Sequence, residues 1–239
     1  MRQPLSTDLP FAEGYVLPVD KPLGWTSSDV VRKVKVLLRR LGHRKIKIGH
    51  AGTLDPLATG VLLVCIGRAT KRAEELQAEQ KEYLAGLELG ATTPSFDREH
   101  PVDRTYPFEH ITRESVEEAL RGMEGEQWQA KMIDGKRAYE YARRGDEVQM
   151  RRALVRIYEM RIEEFEPPRL AIRIRCSKGT YIRSIARDLG ERLGSGAYLT
   201  SLRRTRSGAC SLEDTYSLAE IERILGNRPG VGNDDAPAG

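Results

Sequence analysis

Residues 49–60 read Gly49-His50-Ala51-Gly52-Thr53-Leu54-Asp55-Pro56-Leu57-Ala58-Thr59-Gly60, and the whole chain turns on how this stretch is understood. It sets one carboxylate in a glycine-punctuated loop that feeds an apolar segment, Val61-Leu62-Leu63-Val64-Cys65-Ile66. Glycine permits backbone angles and close approaches that a Cβ would forbid. Pro56 fixes its own φ and pushes Asp55 toward an extended conformation. An acid held this rigidly can be aimed at a substrate. Asp followed by Pro is also a common N-cap and N1 pair opening a helical turn, and on these residues alone the cap is the commoner reading.

Immediately upstream lies a basic run. Between Val30 and Ile48 stand Arg32, Lys33, Lys35, Arg39, Arg40, Arg44, Lys45 and Lys47, with no acid among them. Smaller clusters follow at Arg143/Arg144, Arg151/Arg152 and Arg203/Arg204/Arg206, whereas acids gather around Glu109 to Glu126. The net charge of +4 hides this segregation. Localised basicity is the electrostatic footprint of a nucleic-acid binder, which gains affinity by releasing phosphate counterions. A single cluster is more often a solvated helix face. Several clusters apart in sequence bring the RNA reading level with it.

Composition bounds the rest. A chain of 239 residues can bury a core as one large domain or two small ones. Its apolar content of 39% fits a globular protein, and no apolar run reaches the length of a membrane span. Met1 to Glu13 lacks the basic-then-apolar order of a secretory signal, which predicts a cytoplasmic protein. Cys65, Cys176 and Cys210 are odd in number and scattered, unlike a disulfide framework or a zinc site. His43, His50, His100 and His110 have no metal-ligand spacing either.

Periodicity predicts a strand over Tyr15 to Val19 and then a helix to about Leu41, capped by Thr26, Ser27 or Ser28. Its apolar positions are Val30, Val31, Val34, Leu37, Leu38 and Leu41. Tyr83, Ala85, Leu87 and Leu89 alternate as a half-buried strand does. Alternation recurs in Leu154 to Phe165 and in Leu170 to Cys176, joined across Pro167-Pro168. Ile182, Ile185, Ala186, Leu189 and Leu193 mark an amphipathic helix that Gly194 terminates. Ser217-Leu218-Ala219-Glu220 is a capping box for a short helix through Leu225. The composition of residues 226–239 predicts a disordered tail. The elements make a mixed α/β (α+β) domain without βαβ regularity.

With these residues in hand, the chain resembles the bacterial tRNA pseudouridine-55 synthase family of TruB type. Five stretches carry the resemblance in order. They are Asp20-Lys21-Pro22-Leu23-Gly24-Trp25-Thr26-Ser27, the motif at 49–60, Lys81-Glu82-Tyr83, Cys176-Ser177-Lys178-Gly179-Thr180-Tyr181-Ile182-Arg183, and Leu199-Thr200-Ser201-Leu202-Arg203-Arg204. The resemblance implies the pseudouridine-synthase fold, a long mixed, mainly antiparallel sheet flanked by helices and loops. It implies one catalytic domain over 14–225, in a short form without an evident C-terminal PUA domain. The implied substrate is tRNA, bound at the T arm. No membrane and no obligate protein partner are implied.

The implied reaction breaks a glycosidic bond, turns the uracil and re-attaches it through carbon. It is neither a redox step nor a phosphoryl transfer, so no cofactor and no metal is expected. It does need a carboxylate and access to a base normally stacked in folded RNA. By resemblance Asp55 is that catalytic acid, and Arg183 is the cation that pairs with it and keeps it oriented. Tyr83 matches the tyrosine that stacks on the uracil. His50 matches a residue that fills the space the base leaves, and Lys21, Tyr181 and Leu202 match positions near the pocket. Taken alone, each has a plainer reading: a surface lysine, a structural histidine, core residues and an exposed first-turn arginine.

One departure stands out. Many relatives carry a Pro-Pro-x-Tyr/Phe-Ser-Ala stretch where Glu126-Gln127-Trp128-Gln129 here runs directly into Ala130-Lys131, as if about six residues were missing. Two other readings stay open: a synthase for a different RNA or a guide-RNA complex, and a tRNA-binding or folding factor. The intact acid, tyrosine and arginine motifs favour the enzyme.

Overall fold

The computed structural model describes residue 2 and residues 4–130 and 152–226. In chain order the elements begin with β1 (Tyr15–Lys21), α1 (Ser27–Arg40), β2 (Ile48–Ala51), β3 (Ala58–Ile66) and α2 (Ala73–Ala78). Then come β4 (Lys81–Leu89), β5 (Ala91–Thr92), β6 (Arg104–Thr105), α3 (Arg113–Arg121), β7 (Gly125–Ala130), β8 (Arg152–Glu166) and β9 (Arg169–Cys176). The last are α4 (Ile182–Arg192), β10 (Ala197–Ser207), β11 (Cys210–Ser211), β12 (Tyr216–Ser217) and α5 (Leu218–Gly226). They fall into two compact units, one from residues up to 77 plus those from 209 on, the other from 78 to 208.

The first unit is organised on β3, which is buried along almost its whole length. β1 pairs with it antiparallel from Tyr15↔Ile66 to Lys21↔Gly60, and β2 pairs from Ile48↔Ile66 to Ala51↔Leu63. β12 adds to β1 in parallel. Because side chains alternate across a strand, Val61, Leu63 and Cys65 bury one face with Ala51 and Ala69. Leu62, Val64 and Ile66 occupy the other, beside Leu17 and Val19. Both faces being covered explains the unbroken apolar run.

Helix α1 starts as its sequence predicts. Thr26 caps it with a full capping box, the Thr26 hydroxyl accepting from Asp29 N–H and Asp29 Oδ2 accepting from Thr26 N–H. Val30, Val34, Leu37 and Leu38 are its buried stripe. Helix α5 starts with the predicted Ser217/Glu220 box, the Glu220 carboxylate accepting from Ser217 N–H at 2.8 Å.

The second unit is an antiparallel run of strands in the order β10-β4-β9-β8-β7. On β4, Lys81, Tyr83, Ala85, Leu87 and Leu89 are buried, and the residues between are half-exposed. The half-exposed face carries a charge ladder. Glu82 accepts from Thr205 Oγ1 at 2.7 Å and Arg173 Nη1 at 3.0 Å, while Arg173 Nε reaches Glu163 at 2.6 Å. The β8–β9 hairpin turns at Pro167-Pro168 as predicted, and Gly194 follows the Leu193 C-cap of α4 with a φ of +65° that suits glycine.

One basic cluster is not what charge counting suggests. Arg204 is 1% exposed and lies on the buried face, opposite Tyr83, so it is no part of a solvated Arg203/Arg204/Arg206 patch. Arg143/Arg144, Arg151, the segment after Ala130 and the predicted tail beyond residue 226 lie outside the described residues.

Candidate active site

The Asp55 loop is held from both sides by the stretch that runs from the turn after β1 into the first residue of α1. Ser27, the first residue of α1, is buried; its Oγ accepts from Leu54 N–H at 2.9 Å and donates to Leu54 O at 3.2 Å. Two residues later, Pro56 O accepts from Gly24 N–H at 2.8 Å. Asp55 is thus bracketed by anchored neighbours. Lys21 ties the anchoring turn itself: fully buried, its Nζ donates to Pro22 O at 3.0 Å and Trp25 O at 2.6 Å.

Asp55 caps no helix. Its carbonyl accepts from Ala58 N–H at 3.0 Å, and this turn passes straight into β3. Gly52 (φ +89°) and Gly60 (φ +102°) flank the loop in backbone conformations that side chains rarely adopt. Held by its backbone, Asp55 remains exposed. His50 lies on β2 across from Val64, partly buried, just before the loop. In this unit Lys21 ties the turn that brackets Asp55, and His50 stands on the strand that leads into the Asp55 loop.

In the second unit Tyr83 is nearly buried on β4, flanked by Ile174 of β9 and Arg204 of β10. Paired residues share a face, so Leu202, opposite Ala85, faces the same way as Tyr83. A register shift between Leu199 and Ser201 bulges β10 just before it. Lys81 shares this face, and burial, then the Arg204 charge, push its ammonium down to about 8. Burial likewise pushes the Cys176 thiol opposite it up to about 11.

Arg183 sits in the first turn of α4, one residue after the helix begins. Its Nε is 3.7 Å from Asp97 Oδ2, and neither side chain is more than a fifth exposed. Asp97 is fixed in turn: Oδ1 accepts from Ser95 Oγ at 2.5 Å and from Glu99 N–H at 3.0 Å. Its backbone is clamped by Thr93, and Phe96 beside it adopts a left-handed φ of +55°. Strain in a non-glycine residue persists only where the surroundings enforce it, and it clusters at functional sites. Tyr181 N–H, at the start of the same helix, donates to the buried Gln129 Oε1 at 2.8 Å.

Sequence reasoning missed Ser27, Asp97 and Gln129. Ser27 was visible only as a cap candidate, and nothing local marks Asp97 or Gln129, whose partners are distant in the chain. Among the described residues no group of three or more His, Cys, Asp or Glu could hold a metal ion. Among them also, no helix is long and apolar enough to cross a membrane.

Comparison with known proteins agrees with these motifs. A family model described as TruB family pseudouridylate synthase (N terminal domain) matches residues 39–182. A second, described as tRNA pseudouridylate synthase B C-terminal domain, matches residues 183–228. A protein of Phocaeicola vulgatus named tRNA pseudouridine synthase B is 56% identical over 222 residues, 90% of this chain and 94% of that protein. One of the same name from Bacteroides fragilis is 55% identical over 218 residues, 88% and 94% of the two chains. A chain in the crystal structure of a Cbf5-Nop10-Gar1 complex is similar with a TM-score of 0.71 at 26% identity. That match covers 95% of the present chain but 63% of the solved one, so the chain spans less than two thirds of its length.

Proposed function

This chain belongs to the TruB family of pseudouridylate synthases, and we propose that it converts the T-loop uridine of tRNA, position 55, to pseudouridine. Its fold is the pseudouridine-synthase fold, with mixed but mainly antiparallel strands flanked by helices. The family's reaction is an isomerisation. The N1–C1′ bond of uridine breaks, a C5–C1′ bond forms, and the proton on C5 is replaced by one on N1, so nothing is gained or lost overall.

The observation that carries the assignment of residues is the bracketed Asp55 loop. Hydrogen bonds on both sides fix the backbone, while Asp55 itself is an exposed residue. Asp55 is the catalytic carboxylate in this proposal. A base inside a tRNA stack is out of reach, so the uridine is flipped out, with Tyr83 as its stacking platform and Leu202 as an apolar wall. His50 fills the vacated space. Arg183 orients Asp55 and is itself steadied by Asp97; Lys21 braces the loop, and Tyr181 borders the pocket. Residues 14–225 make up the catalytic portion. The enzyme works in the cytoplasm, which suits a chain whose described cysteines form no disulfide.

The test is direct. The protein is incubated with an unmodified tRNA transcript, and pseudouridine is mapped by chemical probing. Modification at the T-loop uridine supports the proposal. Modification elsewhere assigns another RNA position, and tRNA binding without modification favours a binding factor.

A further inference from the structure

Helix α1 carries its cations in two groups that differ in how they are neutralised. Arg32 pairs with Asp29 at 2.7 Å and Lys33 with Glu222 at 2.8 Å. Further along, Lys35 and Arg39 form no ion pair among the described residues, and neither do Arg44, Lys45 and Lys47 in the turn that follows. These five line a single open groove of about 530 Å³, together with Gly49 and Thr70. No Asp or Glu among the described residues lines it.

Such a cluster is costly for a fold. Five like charges around one concavity repel one another, and the concave shape concentrates their field. A helix C-terminus accounts for part of it, because Arg39 in the last turn complements the helix dipole. Lys35, a turn earlier, and the three cations beyond the helix have no such reason. Several cations of the second unit, by contrast, are neutralised: Arg161, Arg169, Arg173 and Arg175 each have a carboxylate partner.

We infer that this groove is a binding site for an RNA phosphodiester backbone, gripping the tRNA by its phosphates away from the reacting nucleotide. The inference rests on the function proposed above, since it takes the polyanion to be the substrate. The chain path supports the link. Gly49 lines the groove, and from it β2 runs directly into the Asp55 loop. Phosphate contacts position the RNA without reading its sequence, and flexible lysines with arginine forks suit that task.

Two triple variants of the full chain test this. R39Q/R44Q/K45Q removes three groove charges; R113Q/R161Q/R169Q removes three cations that the structure pairs with Glu117, Glu163 and Glu166. Both change the net charge equally. Affinity for unmodified tRNA transcript is measured by fluorescence anisotropy over a range of salt. Abolishing one phosphate interaction with a duplex should flatten the log-affinity against log-salt slope by about 0.9. The groove variant should therefore show a slope shallower by about 2 to 3 and bind roughly tenfold or more weakly at moderate salt. The paired-cation variant should stay near wild type.

Groove and control variants with the same slope and affinity would overturn the inference, as would wild-type protein with no tRNA affinity. Groove-dependent binding of an acidic peptide, with tRNA affinity unmoved, would also overturn it. Pseudouridine formation is scored separately. In an active enzyme the groove variant should raise KM and spare kcat, because no reacting group is touched. An inactive wild type that still shows the groove effect on binding would sink the enzymatic reading and leave the groove standing.

Discussion

Arg183 Nε stands 3.7 Å from the Oδ2 of Asp97, with both side chains largely shielded from water. The aspartate is locked by Ser95, Glu99 and Thr93 before the arginine meets it. Asp97 thus sets a fixed negative charge beside the Arg183 guanidinium, and the same cation is the one proposed to orient Asp55. In that proposal Asp97 is a positioning residue, acting through the arginine beside it.

Asp97→Asn should lower kcat by up to about 100-fold while moving KM little, because a small misplacement of an orienting group acts on the chemical step. Arg183→Met should depress turnover severely in a folded protein, and Arg183→Lys should recover part of it, lacking the guanidinium plane. Single-turnover kinetics on tRNA transcript checks all three. Near-normal turnover in the asparagine and methionine variants would contradict the pairing.

Ser27→Ala removes both hydrogen bonds to Leu54 and leaves a buried N–H and C=O unsatisfied. That should cost about 1–3 kcal/mol in urea unfolding. Turnover well below the melting temperature should fall as well, because the Asp55 loop is left with one of its two anchors. Reduced stability with unchanged kcat would show that the Gly24–Pro56 hydrogen bond holds the loop alone.

The limits of sequence reading follow from geometry. Helices α1, α4 and α5 were legible because caps and apolar spacing are local signals. The apolar run of β3 carried no period of two, since both its faces are buried. Helix α3 was hidden in what looked like an acidic stretch, though Thr112 caps it. Arg204 misled because a sequence counts charges without assigning them to faces. At the proposed site, Asp55 stands out in sequence through its motif. Asp97 and Gln129 act on α4 from remote positions, and no local pattern announces such contacts.

Lys81 gives a pH test of the second unit. Its folded value of about 8 lies below the ordinary 10.5, through burial and then the Arg204 charge. Between those values the unfolded chain binds more protons than the folded one, so stability contributed by this group rises with pH across the window. Below pH 8 the burial penalty is felt in full. The stability of wild type relative to Lys81→Met should therefore climb from about pH 8 to 10.5 in denaturant unfolding. A flat difference would contradict a depressed Lys81.

The central claim is that Asp55 does chemistry, and one substitution tests it. Asp55→Asn preserves size and much of the local hydrogen bonding but removes the charge and nucleophilicity that the isomerisation needs. The measurement is pseudouridine yield at the T-loop uridine of an unmodified tRNA transcript, with folding and tRNA affinity recorded on the same preparation. The variant should fold, bind tRNA as wild type does, and form no detectable pseudouridine. Wild-type yield from the asparagine protein would contradict the account.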